Sequence, residues 1–320
     1  MKQKIIIISA IVLLLILVAF MVKDFFFNKP DNTNPYAFDL DNIRTGDTAK
    51  AVYSETQQIK TTLEEIHGIA TDNSGNIYVS GKDGIEVFDP SGKAGSKLKI
   101  AGIAQSISVS DNGDILLGMQ DHIEIWNTNG KQASKWASFG PDAVITSIAL
   151  KGNDVFIADA GQKVVYRCDL KGNLINKIGL KDPATGVPGF IIPSPYFDLG
   201  ISKDGNLWVV NPGRHSFEKY TFDGALLTTW SKASMAMEGF CGCCNPSNFA
   251  FLNDSLFVTS EKAIERVKIY NTNGTFLAIV ATPDQFEAGT KGLDLAVDKK
   301  NRILVLDPVK MLIRIFEPKK

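Results

Sequence analysis

The chain has 320 residues, 44% hydrophobic and 22% charged, and its 34 basic and 35 acidic side chains leave a net charge of −1. That composition suits a sizeable packed core and excludes a wholly disordered chain. Charges so evenly matched create no sustained basic field, so nucleic acid is not an expected partner.

The first element is the uncharged run from Ile5 to Val22, with Lys2 and Lys4 before it and Lys23 after it. As a helix rising roughly 1.5 Å per residue it extends about 27 Å, close to the thickness of a bilayer's hydrocarbon core. A cleaved signal peptide shares this pattern, but the following Val22-Lys23-Asp24-Phe25-Phe26-Phe27 is bulky and offers neither a small-residue cleavage site nor a cysteine for lipid. The expectation is an uncleaved anchor over residues 1–27. The lysines place its start in the cytoplasm and the rest of the chain in the periplasm or outside the cell. Residues 28–50, rich in Asn, Asp and Pro, read as a polar tether.

From there one pattern recurs six times, at 67–93, 106–131, 147–173, 198–225, 248–275 and 294–318. Each unit has three short alternating apolar runs separated by Asp/Asn/Gly turns, and most add a fourth, as at Leu226–Trp230. Repeats of about 40 residues with four strands predict an all-β six-bladed β-propeller over residues 51–320. The sixth unit lacks a fourth strand, which residues 51–59 can supply, closing the ring and removing its free edge. The turns DNSGNIYV (72–79), SKDGNLWVV (202–210) and DKKNRILVLD (298–307) resemble NHL repeats. The resemblance implies the propeller fold; functionally it leaves binding scaffolds, lyases and sensors open.

In such a ring the connections between blades share a top face with the loops between second and third strands. Long or unusual segments fall there at 180–197, 211–215, 228–246 and 260–266. Along the inner strands one row is small throughout: Ala70, Ser108, Ala149, Gly200, Ala250 and Ala296. Two residues earlier stand Gly68, Ser106, Ser147, Asp198, Asn248 and Asp294. Asp198, Asn248 and Asp294 form an alternative hard-cation site, with Ca²⁺ in the central channel; turn capping and channel water are the competing reading.

Three of four cysteines stand together, Cys241, Cys243 and Cys244 in GFCGCCNP, while Cys168 reads as a small buried residue. Outside the cytoplasm a structural disulfide is one outcome. The three sulphurs with His215 are the candidate metal ligands, for a Cu, Zn or Fe-containing centre, with Glu238 or Glu261 as further donors. A redox-active thiol pair is the third reading, with Arg214, His215, Glu261, Lys262 and Arg266 as residues around the centre and the cations favouring thiolate. His67 and His122 read as packing or surface residues.

The segments IPSPYFDL (192–199), NPGRHSFEKY (211–220), GFCGCCNP (239–246) and TSEKAIERVKIY (259–270) are together similar to a bacterial, membrane-anchored NHL subgroup with a Gly-Cys-Cys-Asn-Pro loop. That resemblance implies one shared top-face site. No Gly-x-Ser-x-Gly, Walker or His-Glu-x-x-His motif is present. A binding module holding a metal or redox centre in an envelope electron-transfer or assembly system is the leading expectation. A lactonase-like or lyase-like enzyme using the channel metal is one rival. The other is an interaction scaffold gripping another envelope protein through Tyr196, Phe197 and Phe240.

Overall fold

The computed structural model describes residues 2–27, 51–242, 244–262 and 264–319; the expected tether lies outside them. Lys2–Phe27 is a single helix (α1), apolar enough from Lys4 to Lys23 to cross a membrane.

The remainder is a ring of antiparallel sheets. Tyr53–Lys60 is β1, and blade one holds Ile66–Thr71 (β2), Ile77–Phe88 (β3) and Ala94–Ile103 (β4). Blade two holds Ser106–Val109 (β5), Ile115–Gly118 (β6), Ile123–Trp126 (β7) and Gln132–Lys135 (β8). Blade three runs through Ile145–Lys151 (β9), Asp154–Asp159 (β10), Val164–Asp169 (β11) and Leu174–Ile178 (β12). Leu199–Ile201 (β13), Leu207–Asn211 (β14), Ser216–Tyr220 (β15) and Leu226–Ser231 (β16) make blade four. Blade five is Asn248–Asn253 (β17), Leu256–Ser260 (β18), Val267–Asn271 (β19) and Phe276–Ala281 (β20). Asp294–Val297 (β21), Ile303–Asp307 (β22) and Leu312–Pro318 (β23) belong to blade six.

Strand β1 pairs with β23, from Tyr53 opposite Pro318 to Lys60 opposite Leu312, so the start of the propeller supplies the last blade's outer strand. Arg314 reinforces the seam, its Nη2 2.6 Å from Glu55 Oε2. Blade one departs from the four-strand expectation: residues 77–88 form one continuous element, bent where Asp83 takes φ +56°.

The recurrent turn has a common chemistry. Asp72 Oδ1 accepts the backbone N–H groups of Ser74 and Asn76, and Asp298 Oδ1 does the same for Lys300 and Arg302. This caps the inner hairpins of blades one and six. The left-handed turn position is Gly75 in the first and Asn301 in the last, the residue types that tolerate φ near +84° and +58°. Alternate strand residues then pack between blades. The densest interface, between blades four and five, stacks Phe217 on Phe257 at 5.0 Å and on Trp230 at 4.7 Å.

Candidate functional site

Residues 232–247 join blades four and five across the top face. Phe240 is fully buried, its ring 5.1 Å from that of Tyr270, and it nails the segment into the aromatic interface. Gly239 passes so close to Ser234 that a Cβ would lie 2.3 Å from that side chain, so only glycine fits.

Beneath the segment lies a buried charge cluster. Glu261 accepts from Arg266 Nε at 3.0 Å and Nη2 at 2.9 Å, and from Lys268 Nζ at 2.6 Å, with all three side chains at most 1% exposed. The two cations spend their remaining donors on the segment above. Lys268 Nζ bonds to the carbonyls of Met237 (3.1 Å) and Gly239 (2.6 Å), and Tyr270 Oη bonds to that of Glu238 (3.0 Å). Burial lowers the Lys268 ammonium to about 8 against the opposing pull of Glu261. Sequence reasoning found Glu261 and Arg266 but missed Lys268. Its signal was a lone cation inside the buried strand VKIYN.

Asn245 is the hub of the loop. Its Oδ1 accepts from Lys262 N at 2.9 Å, while Nδ2 donates to the carbonyls of Cys241 (2.6 Å) and Lys262 (3.0 Å). His215, in a left-handed conformation, donates from Nδ1 to the Asn245 carbonyl at 3.1 Å. Lys262 then reaches the blade-three-to-four connection, with Nζ 3.1 Å from Ser194 Oγ and 4.9 Å from the centre of the Tyr196 ring. Hydrogen bonds therefore link all four segments singled out in the sequence. Arg214 stands apart, exposed and directed at the Pro188 carbonyl at 3.4 Å.

Cys244 is buried, and its proximity adds to the burial that pushes up the Tyr196 hydroxyl. Cys241 Sγ lies 3.8 Å from Arg266 Nη2. The expectation that nearby cations favour thiolate is corrected here for Cys241. Burial, then Glu261, pushes its pKa above the ordinary thiol value, outweighing Arg266 and Lys268. Cys243 lies outside the described residues, and among those described no three His, Cys, Asp or Glu side chains gather closely enough to hold a metal. Cys168 is wholly buried in blade three, its thiol pushed up to about 11 by burial and then by Asp169.

The channel mouth is a separate place. Asp198 accepts from the backbone of Leu199 (2.8 Å) and, across to blade five, of Phe249 (2.7 Å). Asp294 accepts from Leu295 (2.9 Å), from Asn248 Nδ2 (3.2 Å) and, across the ring closure, from Ile69 of blade one (2.8 Å). These carboxylates thus staple neighbouring inner strands together. Burial raises both pKa values, to about 6 for Asp198 and, with the charge of Asp198 added, to about 7 for Asp294. Above them opens a cavity of about 820 Å³ lined by Asn248, Asp294 and residues 192–197.

No protein-family model matches the chain, and no curated protein matches it. Solved structures do. A streptogramin B lyase superposes with a TM-score of 0.58 at 12% identity, over 83% of this chain and 98% of that one. Virginiamycin B lyase from Staphylococcus aureus gives 0.54 at 14% identity, over 84% and 89%. A catalytically inactive variant of the latter, with quinupristin, gives 0.54 at 13%, over 82% and 88%. At these identities the likeness establishes the fold, a six-bladed β-propeller, and leaves chemistry to the residues of this chain.

Proposed function

We propose that this protein is a membrane-anchored, extracytoplasmic binding propeller whose cysteine-rich top-face loop carries a thiol centre, metal-holding or redox-active, serving an envelope electron-transfer or assembly system. The observation that carries this reading is the Asn245 hub. It ties the cysteine loop to His215 and Lys262, so the flagged segments form one patch. Long loops held this firmly on a rigid ring are suited to function. The sulphurs of Cys241, Cys243 and Cys244 and the imidazole of His215 are the donor types that suit Cu(I) or Zn²⁺, and a bound metal would have to draw Cys241, Cys244 and His215 closer than they stand in the described structure.

The test is metal analysis with thiol counting on the full chain, purified from the envelope without chelator, beside the variant Cys241→Ser/Cys243→Ser/Cys244→Ser. A stoichiometric soft metal, or a thiol pair that cycles with reductant, absent from the variant, supports the reading. A fixed disulfide with no metal overturns it in favour of a stapled interaction face.

A further inference from the structure

The cavity at the channel mouth has no described cysteine in its lining, and that lining has a definite character. At about 820 Å³ it lies within the range of small-molecule sites. Much of the wall is apolar, from Ile66, Val144, Ile145, Ile192, Pro193 and the ring of Tyr196. These walls offer apolar contact to a hydrocarbon body, interrupted by the polar side chains of Gln105, Gln120, Thr146 and Ser194.

The charged groups at its rim are one-sided. Lys163, in the turn between β10 and β11, and Lys291, just before β21, both line the cavity. They enter from blades three and six, which stand opposite each other in a ring of six. Neither ammonium has a hydrogen-bond or ion-pair partner among the described residues, whereas Lys82, Lys203 and Lys219 are each paired with a carboxylate. His67, also in the lining, is 3.4 Å from Glu65. The lining's one carboxylate, Asp294, is engaged by the N–H groups of Ile69 and Leu295 and by the Asn248 amide.

We infer that this cavity binds a small organic anion with a planar apolar body, its charged group held at the rim by Lys163 or Lys291 and its body against Tyr196 and the aliphatic wall. Two unpaired ammonium groups around an apolar cleft raise the local concentration of anions and reject cations.

The probe is 2-naphthoate, with neutral 2-naphthamide as its isostere. Both are titrated by saturation-transfer NMR against the full chain in neutral detergent, with detergent alone as blank. The expected result is saturable binding of the naphthoate, about threefold to fivefold tighter than the amide, as one partly solvated charge contact would supply. Lys163→Ala/Lys291→Ala should remove that preference while leaving the amide's affinity within about twofold, since rim lysines contribute little to packing. Added salt should weaken the naphthoate selectively. No saturable binding above the blank, equal affinity for the two probes, or a preference that survives in the double variant would each overturn the inference. The triple cysteine variant should keep the naphthoate preference, so failure of the thiol-centre reading is distinguishable from failure of this one.

Discussion

Glu261 shows how a residue can look like a site and serve as a foundation. In the sequence it is an acid in a loop beside cysteines; in the fold it pairs with both Arg266 and Lys268, whose other donors hold the carbonyls of Met237 and Gly239. Glu261→Gln removes the carboxylate that the two buried cations share. It is expected to cost about 3 kcal/mol and lower the melting midpoint by on the order of 10 °C, read by circular dichroism. The Cys241 thiol, held above its ordinary value, must lose a proton to bind metal. Apparent metal affinity should therefore rise with pH from 6 through 9, measured by competition with a chromophoric chelator. A flat profile would mean that Cys241 is not a ligand.

The channel carboxyls act in the opposite sense to most acids. Asp198 and Asp294 hold their protons more tightly folded than unfolded, so the folded state binds more protons between pH 4 and 7. Their stabilising contribution is full below pH 4 and is lost as pH rises through about 6 and about 7. The melting midpoint should fall from pH 5 to pH 8, and Asp294→Asn, which cannot titrate, should flatten that slope.

At the scale of elements, two devices position everything else. The first is the pairing of β1 with β23, legible in the sequence because the sixth repeat is one strand short and a suitable strand precedes the first. Glu55→Ala removes the carboxylate facing the nearly buried Arg314 and should loosen that seam. Faster amide exchange confined to residues 53–60 and 312–318 is the expected signature. The second is the Asn245 hub. Asn245→Ala frees the cysteine loop from Lys262 and should expose residues 232–247 to limited proteolysis without changing the global midpoint.

Blade number and strand order were legible because Asp/Asn/Gly-rich turns recur between short apolar runs along the chain. The long top-face loops were legible as interruptions of that period. Their mutual bonds were not, because which carbonyl meets Lys268 or which amide meets Asn245 depends on loop conformation rather than spacing. The polar row at the mouth was found from alignment of the repeats. Its role in stapling inner strands became visible only once Asp294 met the backbone of blade one.

For the whole molecule, a closed ring offers a rigid frame that carries irregular loops on one face, and α1 by length and composition is able to hold such a domain at a membrane. Blades four and five, joined by a run of stacked aromatic rings, carry the cysteine loop between them.

The most direct test of the thiol centre is mass spectrometry of the 233–262 region from native membranes, alkylated with and without prior chelation or mild reduction. With a thiol centre present, labelling of Cys241, Cys243 and Cys244 is expected to change with one of those treatments while the buried Cys168 stays unlabelled until the fold is opened. Identical labelling under all conditions, with a permanent bridge in the loop, would contradict it.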